Sequence, residues 1–117
     1  MADVDAYLAT LAGDARDWMA HFVNYMRERH PECGELLYFG VPTYRPVPGD
    51  RRKFVAFSAA TAHLSMHTLD FDFVTGLRGR LKKPGRGKGC VNVPFRNPDE
   101  RAVLEGAIDE LVARLRA

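Results

Sequence analysis

The sequence predicts a single α+β domain over residues 1–117, an antiparallel sheet of about four to five strands packed against N- and C-terminal helices. Three observations predict it. Apolar residues recur at helical spacing near both ends of the chain. The middle carries short strand-like segments punctuated by Gly and Pro. The 117 residues are 46% hydrophobic and 27% charged with a net charge of +2, which suits one core and excludes a disordered, collagen-like or disulfide-scaffold protein.

Val4, Tyr7, Leu8 and Leu11 fall at i, i+3, i+4 and i+7 and predict a short helix with Asp3 as its cap. Gly13 interrupts it. Asp14 and Asp17, at capping-box spacing, start a second helix whose stripe is Trp18, Met19, Phe22, Val23 and Met26. Pro31 ends that helix, because the residue before proline is pushed out of the helical region. Residues 35–45 read as one extended stretch punctuated by Gly40 and Pro42, with a turn over 46–50.

Residues 53–58 are apolar on both faces and predict a central strand. Residues 63–68 alternate, with Leu64 and Met66 inward and His63, Ser65 and His67 outward. Together these segments predict an antiparallel meander. Residues 71–79 predict a short helix with Phe71, Val74 and Leu77 on one side. Residues 90–95 predict a strand with Val91, Val93 and Phe95 on one face, and Pro94 puts it at an edge or at the strand's end. Asn97 as N-cap, Pro98 at the first helical position and Glu100 closing a capping box then open the last helix. Its buried face is Val103, Leu104, Ala107, Ile108, Leu111, Val112 and Leu115.

No run of eighteen apolar residues is present, so no membrane span is expected. The acidic N-terminus lacks a basic stretch and an apolar core, so it does not read as a secretory signal, and a cytoplasmic location is the expectation. Cys33 and Cys90 are then expected as free thiols.

Four strings appear in order: Val4-Asp-Ala-Tyr-Leu8, Tyr38-Phe-Gly-Val-Pro-Thr-Tyr44, His63-Leu-Ser-Met-His67, and Gly87-Lys-Gly-Cys-Val91 leading to Pro94. In this order and spacing they resemble the YdhG-like family, a domain of unknown function (DUF1801), over essentially the whole chain. Val41 stands where the family has methionine, Gly87 and Cys90 where it has serine and threonine, and His67 where it has tyrosine, while Lys88 is kept. The resemblance implies the YdhG-like α/β sandwich. One branch of the family is described as frataxin-like, which implies a small carrier of iron or another small ligand.

Four chemistries compete. Residues 78–88 carry six basic groups, three glycines and no acid, which suits an anion; the same string also reads as a solvated connector. It is not a Walker A loop, since Lys82 occupies the first glycine position. Nucleic acid is not expected, because that loop interleaves no aromatics. For metal, His63 and His67 lie ~13 Å apart on a strand, too far to share an ion. Hard metals would use the acidic front, Asp3, Asp5, Asp14 and Asp17, where the frataxin-like description implies iron; those carboxylates are equally explained as helix starts. Neither Ser58, Ser65, Cys33 nor Cys90 sits in a recognised nucleophile context beside His63 or His67. Finally, Tyr38, Phe39 and Tyr44 flank Gly40-Val-Pro42, a turn that either lines a small-molecule pocket or places rings in the core.

The expectation is a non-enzymatic binding protein, a monomer or homodimer, whose site is a cleft joining Tyr38, Tyr44 and His67 to Lys88 and Arg86. The alternative is a phosphate- or anion-binding module, or a small-molecule enzyme, using the Lys88 loop. Charge divides the chain in the same way. Residues 1–44 carry three basic and seven acidic groups, residues 45–88 ten and three, and residues 89–117 four and five. Cations belong at the front and anions at the basic middle.

Overall fold

The computed structural model describes residues 2–117. Two helices open the chain, α1 (Ala2–Ala9) and α2 (Gly13–Arg29). Four strands follow, β1 (Gly34–Tyr38), β2 (Val41–Arg45), β3 (Val55–Ala59) and β4 (His63–His67). Helix α3 (Phe71–Arg78), strand β5 (Cys90–Pro94) and helix α4 (Glu100–Arg116) complete it. The strands lie in chain order in one antiparallel sheet, so the predicted meander and the edge position of β5 both hold.

Each strand has a dry face and an open face. Tyr44, Val55, Phe57, Leu64, Met66, Val91 and Val93 are buried on the dry face with Trp18, Met19, Phe22 and Met26 of α2, Phe73, Val74 and Leu77 of α3, and the apolar stripe of α4. Phe22 stacks on Phe57 at 5.6 Å between ring centroids, and Trp18 meets the tilted Phe95 ring at 5.6 Å and the Arg101 guanidinium over its face at 4.3 Å. With all the helices on one side, the open face is finished by loops.

Several local expectations are corrected. Residues 35–45 are a hairpin, because Tyr38 pairs with Val41 and leaves Phe39-Gly40 as a two-residue turn. Both turn residues have positive φ, 52° and 74°, the geometry of a type I′ turn. Pro42 is tolerated inside β2 because it flanks the closing pair and its missing N–H points away from β1, beyond the β2–β3 pairing at Thr43 and Tyr44. Asp3 lies within the first turn of α1. Helix α2 has Ala12 at its N-cap with no side-chain hydrogen bond, so Asp14 and Asp17 form no capping box. Helix α3 turns Phe73 inward and leaves Phe71 exposed. Its cap is Asp70, which accepts from the Phe73 N–H at 3.1 Å and from the Arg114 guanidinium at 2.9 and 3.0 Å. Helix α4 starts at Glu100 with Asp99 as N-cap, so Asn97 and Glu100 form no capping box; the buried Glu100 carboxylate instead accepts the Lys82 backbone N–H at 2.9 Å and the Asn97 side-chain amide at 3.4 Å, tying the basic connector to α4.

A half-buried ion pair anchors the hairpin. Glu35 of β1 accepts from Arg27 of α2 at 2.9 Å on both carboxylate oxygens and from the Tyr44 hydroxyl at 2.8 Å. Burial pushes the Glu35 carboxyl up, but the hydrogen bonds from Arg27 and Tyr44 outweigh it and hold the group at about 2. Because the folded value is depressed, this stabilisation is present above the ordinary 4.5 and is lost as pH falls towards 2. Glu35→Gln is therefore expected to destabilise the fold by roughly 2 kcal/mol at pH 7. In urea denaturation the gap between wild type and variant closes as pH falls through that window; a gap independent of pH would contradict the assignment.

Candidate functional site

Across the open face, cross-strand partners bring Leu36, Thr43, Ala56, His67 and Cys90 into one row. Over the β1–β4 part of this face lies a cavity of about 590 Å³. Thr43, Ala56, Ser58 and His67 form its floor. Tyr38, Phe39 and Val41 of the hairpin form one wall, Arg51, Arg52 and Phe54 from the segment before β3 another, and Leu69 closes the end next to α3. The volume lies in the small-molecule range, and the lining is apolar with a few polar groups, as ligand sites are.

The hairpin tip is the feature that folding alone does not explain. Phe39 is 89% exposed and sits at φ 52°, a conformation that type I′ turns normally give to Asn, Asp or Gly. An aromatic side chain there costs about 1 kcal/mol and buries almost nothing in return. Its ring lies edge-on to Tyr38 at 4.5 Å, and Arg45 covers Tyr38 at 5.2 Å. Tyr38 and Leu69 are also exposed, so the cavity is ringed by apolar side chains left facing water.

Its polar groups are few. His67 Nε2 shares a hydrogen bond with Ser58 Oγ at 2.8 Å, diagonally across β3 and β4. Burial pushes the His67 imidazole below its ordinary value, which favours the neutral ring. Among the described residues no carboxylate bonds the ring, so the pair lacks the orienting group of an activated nucleophile. Arg51 and Arg52 are exposed and form no ion pair among the described residues.

The structure brings together only part of the expected cleft. Tyr38 and His67 share the cavity. Tyr44 is on the other face, 1% exposed and bonded to Glu35. The two-residue turn is the reason: on one continuous strand residues 38 and 44 share a face, whereas pairing Tyr38 with Val41 throws Tyr44 to the opposite side. Lys88 and Arg86 are exposed on the connector and line no part of this cavity. Sequence reasoning passed over Arg51, Arg52 and Leu69, which carry no local motif. The missed hairpin had a signal, a Gly-containing pair between two apolar runs.

The connector is packed rather than free. Leu81 is buried, Arg80 pairs with Glu110 at 2.9 Å and Lys82 with Asp99 at 3.4 Å. Pro84 accepts the Asn92 N–H at 2.9 Å, and the following glycines lie against open-face side chains of β5. A Cβ on Gly85 would fall 2.6 Å from Asn92 Nδ2, and one on Gly87 would fall 2.5 Å from Cys90 Sγ. The glycines thus serve close approach to β5 rather than an exposed N–H cradle. Both cysteines are free.

Among the described residues no three His, Cys, Asp or Glu converge on one point. Asp5 is engaged by Arg27 at 2.9 Å, and Asp3 of α1 and Asp14 and Asp17 of α2 are exposed. No helix of the described residues is long and apolar enough to cross a membrane.

The architecture, a five-stranded antiparallel meander backed by helices, is a known one. It matches the crystal structure of a DUF1801 family protein, YdhG from Bacillus subtilis, with a TM-score of 0.72 at 19% identity, over 92% of this chain and 86% of that one. The YdhG-like fold implied by the sequence strings is thus the fold observed. No protein-family model and no curated protein matches the sequence.

The close approach at Gly87 is testable. Gly87→Ala is expected to cost about 1–3 kcal/mol, because its Cβ overlaps Cys90 Sγ. Much of that cost should vanish in a Cys90→Ala background, where the sulfur is gone. A double-mutant cycle by urea denaturation reads the coupling; additive costs would contradict the contact.

Proposed function

We propose that this chain is a DUF1801-type binding protein for a small amphipathic anion, held on the open face of the sheet by its apolar part and at Arg51 and Arg52 by its charge. The observation that carries this reading is Phe39, an exposed aromatic kept in a left-handed conformation at the lip of an apolar cavity. The edge-on contact with Tyr38 offsets part of the backbone cost, but a ring left 89% exposed at that cost points to a role outside folding. Two unpaired guanidinium groups at the rim favour a carboxylate, sulfonate or phosphate on an aromatic or aliphatic body. The Ser58–His67 pair at the floor offers one donor and one acceptor to fix its orientation. The fold likeness to YdhG supports the family assignment. The absence of a carboxylate partner for His67 among the described residues favours binding over catalysis.

The test separates folding from function at one residue. Phe39→Asn restores an Asn-Gly turn and is expected to raise stability by about 1 kcal/mol. The same change, and Arg52→Ala, should each weaken binding of the aromatic sulfonate 1-anilinonaphthalene-8-sulfonate to the folded protein by about fivefold or more. Fluorescence titration beside thermal denaturation reads both. Unchanged affinity in both variants would overturn the proposal.

A further inference from the structure

Strand β4 ends in a histidine at each terminus, and only His67 belongs to the apolar cavity. His63, at the other end of the same face, lines a second cavity of about 640 Å³. Its walls come from four segments: Asp14 of α2, the start of β4 at His63, Lys83 and Gly85 of the connector, and the stretch from Asn92 of β5 to Arg96. Its character is different from that of the first. Lys83 and Arg96 contribute two permanent positive charges, and neither forms an ion pair among the described residues. The contrast within the connector is informative, since Arg80 and Lys82 are neutralised by Glu110 and Asp99 of the α4 end while Lys83 faces the cavity.

The neutral donors are prearranged as well. Asn92 Oδ1 already accepts the Ser65 hydroxyl at 2.7 Å, so what Asn92 can still offer a ligand is its NH2 group. That nitrogen lies beside Gly85, at φ 78°, where any Cβ would sit 2.6 Å away. A side chain at position 85 would displace the amide, and glycine keeps it in place.

We propose that this cavity is a second binding site, for a small phosphomonoester whose other end carries hydroxyl groups. Lys83 and Arg96 neutralise the phosphate, and the Asn92 amide and His63 ring donate to its oxygens. Two fixed cations beside two neutral donors suit a dianion such as a phosphomonoester better than a singly charged carboxylate. Asp14 is the one carboxylate on the wall. It would repel a second anionic group and accept from a hydroxyl, which sets the polarity of the ligand's far end.

Isothermal titration of the full chain with ribose 5-phosphate, inorganic phosphate and ribose tests this. Saturable binding of ribose 5-phosphate is expected, at least tenfold tighter than inorganic phosphate, with none for ribose. Lys83→Ala and Arg96→Ala should each weaken it about tenfold, as loss of one charge-assisted contact implies. Lys88→Ala, equal in charge change but outside the cavity, should leave it unaltered. Lys83 and Arg96 are both exposed enough to be replaced without unfolding, and thermal denaturation confirms that each variant is native. Equal binding of ribose and ribose 5-phosphate would overturn the proposal. So would unchanged affinity in both cavity variants, or a loss in Lys88→Ala matching that in Lys83→Ala.

Discussion

The constraint on which the rest depends is the one-sidedness of the sheet. Every helix packs on the face that holds Phe57, Leu64, Met66 and Val93, so each strand keeps a second face that no regular element covers. Antiparallel sheets tolerate this when the second face is polar. Here it is neither fully polar nor fully covered. The connector closes it over β5, its glycines lying against Asn92 and Cys90, and the β1–β2 hairpin and the segment before β3 wall it at the other end. Two hollows remain, one apolar and one basic.

The hairpin that walls the apolar hollow is held from behind. Glu35, bonded to Arg27 of α2 and Tyr44 of β2, fixes β1 and β2 to the helical layer through a carboxylate that stays ionised. That rigidity lets a turn carry Phe39 in an unfavourable conformation without unravelling. The same logic holds at the basic hollow, where buried Glu100 bonds the Lys82 N–H and so positions Lys83 next to it. In both places a buried carboxylate gives its hydrogen bonds to structure, and an exposed side chain nearby stays free of such bonds.

Much of the fold was legible because it is written in local periodicity. The stripes of α2 and α4 and the alternation of β4 and β5 each need only their own residues to be read. The misreadings share a different cause. Tyr44 was expected beside Tyr38 because a two-residue turn built on Phe-Gly lacks the usual Asn-Gly signature, and the turn reverses the facing of everything after it. Gly85 and Gly87 read as part of an anion-binding or solvated connector because the groups they approach, Asn92 and Cys90, are brought near only by the tertiary fold. Glu100 fitted a capping box by spacing and was recruited by a distant backbone N–H instead. Of the candidate site, Tyr38 and His67 were visible as residue types suited to binding. Arg51, Arg52 and Lys83 were visible only as charge, since nothing local shows which cations find acidic partners.

His63 and His67, at opposite ends of one face of β4, are proposed to serve two independent ligand sites. The most direct measurement is a nuclear magnetic resonance titration that follows the histidine ring signals while 1-anilinonaphthalene-8-sulfonate and ribose 5-phosphate are added singly and together. The sulfonate is expected to move the His67 signals alone and the phosphomonoester the His63 signals alone, and saturation with one should leave the affinity for the other intact. Both ligands shifting the same ring, or each displacing the other, would contradict it.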